Sequence, residues 1–121
     1  MAGVYVPLVL VPRYTTYCGG TGTSFTTIGM DVSEFEQAVV SCWRAAGLNL
    51  TSVTYNFEES MDQQNWSTCG GGPFTDPGAL LEAQFSPLLT KRWFRINITV
   101  VTGSVAVLTC WCIGFLMQRE A

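Results

Sequence analysis

The stretch from Val105 to Met117 constrains the fold more than any other. Val105, Val107, Thr109, Trp111, Ile113 and Phe115 alternate with Ala106, Leu108, Cys110, Cys112, Gly114 and Leu116. In an extended chain successive side chains point to opposite faces, so both faces of this segment are apolar. The run is shorter than the roughly 20 residues a transmembrane helix needs, and Thr109, Cys110, Cys112 and Gly114 weaken a helix further. It reads as a strand buried on both sides. In a two-layer sandwich one face meets the core. The other has to meet a loop, the N-terminal segment or a neighbouring subunit.

Other segments extend the β reading. Tyr55-Asn56-Phe57-Glu58 runs into the polar turn Glu59-Ser60-Met61-Asp62-Gln63-Gln64-Asn65 and re-emerges at Trp66. Short polar side chains such as Ser60 and Asp62 bond to backbone N–H groups of a turn, and Trp66 is a large apolar anchor beneath it. These three are read as a structural turn. Arg92 to Val100 is a second β-branched and aromatic run. Val4 to Tyr17 reads as an extended arm or edge strand, because Pro7 and Pro12 cannot donate to a sheet ladder.

Residues 33–45 carry two signals. Asp31 or Ser33 could cap a helix through Arg44, with Phe35, Val39 and Trp43 on one helical face. Against this, Val39-Val40-Ser41-Cys42-Trp43 has strand composition. As a strand it would form a hairpin with Ser52–Glu58 across residues 45–49. Trp93–Val100 would form another with Ser104–Met117 through Thr102-Gly103. Phe25 to Met30 is a short strand, Gly70-Gly71-Gly72-Pro73 breaks the chain, and residues 79–85 are a helical turn or extended backbone. The expected organisation is an N-terminal arm or edge strand with its glycine loop (residues 1–24) and a β-sandwich (residues 25–121).

No catalytic constellation emerges. The chain has no histidine, so a nucleophilic serine would lack its usual base. Glu58 and Glu59 point to opposite faces of a strand and cannot act as paired acid and base. Asp31, Glu34 and Glu36 do not make up a calcium ligand set. The loop Gly19-Gly20-Thr21-Gly22-Thr23 lacks the lysine of a phosphate-binding loop. Cys110 and Cys112 share a strand face without zinc-site spacing, and the five cysteines read as buried reduced thiols. No enzyme activity, cofactor or metal is expected.

Composition speaks about partners. With a net charge of −3 and a pI near 4.6 there is no basic stripe, which argues against nucleic acid. Charged residues are 12% of the chain, against a usual share of about 25%. A freestanding domain keeps more surface charge for solubility. The deficit predicts a surface covered by other subunits and a homo-oligomer. The candidate contact residues are Tyr5, Val6, Leu8, Leu10, Tyr14 and Tyr17, followed by the outward face of the last strand.

The order of a strand ending in Glu59-Ser60-x-Asp62-x-x-x-Trp66, a connecting segment, and the strand Trp93-Phe94-Arg95-Ile96 resembles small β-sandwich proteins of tailed-bacteriophage particles. The Ser-x-Asp-turn-Trp unit is also similar to the discoidin-like lectin sandwich. The resemblance covers residues 31–115. It implies an all-β, single-domain antiparallel sandwich of jelly-roll or Greek-key type. The function it implies is a virion protein that decorates or cements a capsid, assembled in the host cytoplasm with the major capsid protein or other virion subunits as partners. A neck or tail component is the nearest variant. The alternatives are a carbohydrate-binding module using Trp66 and a membrane-associated protein anchored by residues 105–117, although a bilayer partner is not the expected one.

Overall fold

The computed structural model describes residues 4–19, 24–46, 52–101 and 106–118. Among them are nine strands and no helix: β1 Tyr5–Gly19, β2 Ser24–Thr26, β3 Met30–Asp31, β4 Phe35–Arg44, β5 Ser52–Ser60, β6 Ser67–Thr75, β7 Ala83–Phe85, β8 Trp93–Val101 and β9 Ala106–Gln118. They form two antiparallel sheets. Sheet I has the order β1-β9-β4-β7, and sheet II the order β2-β8-β5-β6 with β3 also on β8.

Alternation along each strand builds the core. Sheet I sends in Leu8, Leu10 and Val11 from β1, Ala38, Val40 and Cys42 from β4, and Leu108, Cys110, Cys112 and Leu116 from β9. Sheet II answers with Val53, Tyr55 and Phe57 from β5 and Phe94, Ile96, Ile98 and Val100 from β8. Phe57 stacks on Phe94, and Phe74 on Phe85, so rings from both sheets fill the middle.

β2 and β3 both pair with β8 and act as one interrupted strand. Counted so, each sheet has four strands, and the chain changes sheet at nearly every connection. This is the jelly-roll arrangement. Of the strands consecutive in sequence, only β5 and β6 are hydrogen-bonded neighbours.

Both expected hairpins are therefore corrected. β4 pairs with β9 and β7, not with β5. β8 pairs with β5, β2 and β3, not with β9. Each expected pair is split between the two sheets, because its strands have apolar faces that meet across the core. The connecting residues Thr102-Gly103 lie outside the described residues.

Residues 35–44 are a strand. Gly70 to Pro73 do not break the chain, since β6 runs through them. Its register on β5 jumps from Asn56↔Pro73 to Glu58↔Thr68, so the glycines form a bulge. Of the two readings of the N-terminal segment, an arm or an edge strand, the structure has the edge strand: β1 pairs with β9 from Tyr5 to Gly19.

One buried ion pair ties the layers together. Arg44 at the end of β4 binds Asp76 just after β6. The other Asp76 oxygen accepts the Val53 N–H at 2.9 Å, and the Arg44 carbonyl accepts Leu80 N–H at 2.8 Å. Glu59, also buried, accepts the backbone N–H groups of Thr90 (2.8 Å) and Lys91 (3.2 Å) and the Thr90 hydroxyl (2.8 Å).

Candidate docking surface

The outward faces of the two sheets differ in chemistry. On sheet II, Thr54 lies opposite Thr99, Asn56 opposite Asn97, and Glu58 opposite Arg95. Glu58 accepts Arg95 Nε–H at 2.8 Å, and the Arg95 guanidinium covers the Trp66 ring at 4.0 Å from its centroid. Ser24 and Thr99 share a hydroxyl hydrogen bond of 3.1 Å. The Asn56 and Asn97 side-chain oxygens lie buried without a hydrogen-bond partner, but the face as a whole is polar.

Sheet I presents the opposite. Across β1 and β9 the outward pairs are Tyr5↔Met117, Pro7↔Phe115 and Val9↔Ile113. Across β9 and β4 they are Val39↔Phe115, Ser41↔Ile113 and Trp43↔Trp111. Tyr5, Val9 and Phe115 are each more than half exposed. Tyr5 packs edge-on to Phe115 at 6.5 Å. A groove of about 570 Å³ runs over this face, lined by Pro7, Val9, Pro12, Trp111, Ile113 and Phe115, with Arg13, Ser41 and Glu82 as its polar lining.

The groove is preorganised at one end. Trp43 and Trp111 stack at 5.8 Å, Tyr14 meets Trp43 edge-on at 6.2 Å, and Arg13 lies over Trp111 at 4.5 Å. Arg13 and Tyr14 reach this position because β1 is bulged. Its register on β9 jumps from Val11↔Cys112 to Thr15↔Cys110, and Tyr14 takes a left-handed φ of 61°. Trp43 and Trp111 therefore pack on the outer face of sheet I. Trp93, also outward, is half-buried beneath the Arg92 guanidinium.

The expected contact residues divide. Tyr5, Val6 and Tyr14 are exposed. Leu8 and Leu10 are corrected, since both point into the sandwich and are almost fully buried. Tyr17 also turns inward and stacks on Phe25 at 4.4 Å. The contribution of Val9, Trp43 and Arg13 was not anticipated. The signal available was the second apolar face of the C-terminal strand, which needs apolar neighbours on both flanking strands.

Ser60, Asp62 and Trp66 come together at the opposite end of the molecule's chemistry. The Ser60 hydroxyl accepts the N–H groups of Asp62 and Gln63 and donates to Asp62 Oδ1. Asp62 accepts the N–H groups of Gln64 and Asn65 and the Asn65 side-chain amide. These bonds hold its carboxyl well below the usual carboxylate range. Trp66 is half-buried, with Arg95 over its ring and Gly29 so near that a Cβ there would lie 3.0 Å from the indole.

The thiols offer little reactivity. Burial pushes Cys69 and Cys110 up to about 12, which keeps them protonated. Cys18 is corrected from buried to exposed, on the outward side of β1 opposite Val107. Among the described residues no group of three or more Cys, Asp or Glu side chains is placed to hold a metal ion.

No family model and no curated protein matches the chain. Among solved structures it is similar to one from Bacillus endospore appendages, described as forming a novel family of disulfide-linked pili. The TM-score is 0.51 at 11% sequence identity, covering 97% of this chain and 91% of that one. Identity this low shows a shared fold alone. No helix among the described residues is long and apolar enough to cross a membrane.

Proposed function

We propose that this protein is a non-enzymatic structural subunit that packs the outward face of sheet I against other subunits of an ordered assembly. The observation that carries the reading is the contrast between the two outer faces. One is polar. The other is an apolar field from Tyr5 to Phe115 with a groove over it. Apolar area of this kind is stabilised by about 25 cal/mol per Å² when covered, and contiguous exposed patches mark interaction sites. A chain with only 12% charged residues has little else to keep such a face soluble.

Two settings fit this work. In the first the protein decorates the capsid of a tailed bacteriophage, and the face docks on capsid subunits. In the second it polymerises with itself. The second draws support from the similar solved structure, which is described as forming pili and matches along nearly the whole of both chains. Multivalent repetition turns modest contacts into firm attachment in either setting.

The test is light scattering after size exclusion, with negative-stain microscopy, on the purified chain and on its Phe115→Glu variant. Phe115 points outward, so the substitution leaves the core intact. Oligomers or regular fibres lost in the variant are the expected result for self-assembly. A wild-type monomer that binds purified capsids, with binding lost in the variant, is the expected result for decoration. A stable monomer that binds neither itself nor capsids overturns the proposal.

A further inference from the structure

Four of the five cysteines point into the sandwich, and their register singles out one pair. Cys42 of β4 and Cys112 of β9 are directly opposed on neighbouring antiparallel strands. Both are fully buried on the same inward face. Directly opposed residues in an antiparallel ladder have Cα atoms about 4.5 or 5.5 Å apart. Both separations fall in the roughly 4.4–6.8 Å range that a disulfide spans.

The other combinations are less suited: Cys110 and Cys112 stand side by side two apart on β9, about 6.4–6.8 Å along the strand and at the upper limit of that range. Cys110 is opposed to Arg44 and stands diagonally to Cys42, a relation of about 7–8 Å. Cys69 belongs to β6 in the facing sheet, and packed sheets lie about 10 Å apart. Cys18 is on the outward face.

We propose that Cys42 and Cys112 form a latent cross-strand disulfide that locks β4 to β9. The oxidant is a small-molecule disulfide such as oxidised glutathione. One cysteine thiolate attacks it, forming a mixed disulfide and releasing one glutathione thiol. The second thiolate then attacks the protein-side sulfur and releases the other. Two protein thiols and one glutathione disulfide become one protein disulfide and two glutathione thiols.

The bond forms while the sandwich folds or when β4 lifts away, because in the closed core both sulfurs are out of reach of any oxidant. β7 covers the other edge of β4 with three residues only, so this flank is the thin one. The bond closes a loop of about 70 residues, which constrains the unfolded chain strongly.

The experiment uses Cys18→Ser protein, in which the exposed thiol cannot link molecules and four cysteines remain. It is unfolded and refolded in a glutathione redox mixture, alkylated, digested and mapped by mass spectrometry. The expected result is a Cys42–Cys112 crosslinked peptide, with Cys69 and Cys110 alkylated. The oxidised form should melt on the order of 10 °C above the reduced form. A Cys42→Ala/Cys112→Ala variant should show the same melting temperature in both conditions. Four alkylated thiols after oxidative refolding, or a crosslink to any other cysteine, overturns the proposal.

Discussion

Gly114 shows at the residue level why β9 carries a glycine inside an otherwise bulky strand. It lies opposite Val40 on the inward face. A Cβ built there would stand 1.8 Å from the Val39 carbonyl oxygen and 3.0 Å from Val40 Cα. Both are backbone atoms and cannot rotate away, so the two strands would have to separate. Gly114→Ala should cost about 3 kcal/mol or more in urea denaturation, a loss typical of severe overpacking. A cost below about 1 kcal/mol would mean that β4 and β9 are not this close. Residue-level features of local origin were readable in the sequence. The Ser60 and Asp62 turn depends on groups within three residues of each other, and their chemistry is visible in the letters. Leu8 and Leu10 were not readable as core, because β1 reads as apolar on both faces until the bulge at Val11 fixes which side turns in.

At the level of elements the sequence disclosed strands far better than partners. Val39 to Trp43 and Trp93 to Val100 were legible from composition, but a jelly roll sends nearly every connection across the core. Pairing by proximity in sequence therefore named the wrong neighbours. What holds those crossings is the Arg44–Asp76 pair, joining the end of β4 in sheet I to the residue after β6 in sheet II. Both side chains are almost wholly buried. Removing one partner leaves a desolvated charge, and Asp76→Ala should destabilise by about 3–5 kcal/mol. An apolar pair, Arg44→Met with Asp76→Leu, should recover a large part of that loss, less the share owed to the Val53 and Gly78 N–H groups that Asp76 also accepts. Chemical denaturation of the three variants checks this. A double variant no more stable than Asp76→Ala would show that backbone capping, not charge pairing, is the role of Asp76.

For the molecule as a whole, the buried thiols set a limit on the alkaline side. Cys69 packs in sheet II and Cys110 in sheet I, and burial raises each from an ordinary value of 9.0 to about 12. The unfolded chain releases these protons near pH 9, whereas the folded chain holds them until about 12. Below 9 both states are protonated, and the stabilisation from keeping the thiols neutral is fully present. Between 9 and 12 the unfolded state is favoured by ionisation that the fold forbids, so stability falls as pH rises. The slope contributed by each thiol is at most about 1.4 kcal/mol per pH unit. Urea midpoints measured across this window should fall for the wild type. They should fall less steeply for Cys69→Ala/Cys110→Ala, whose cavities lower stability by the same amount at every pH. Equal slopes would mean that the sandwich opens enough at high pH for water to reach both sulfurs. The two layers would then be held chiefly by the aromatic stack of Phe57, Phe74, Phe85 and Phe94 and by the Arg44–Asp76 crossing.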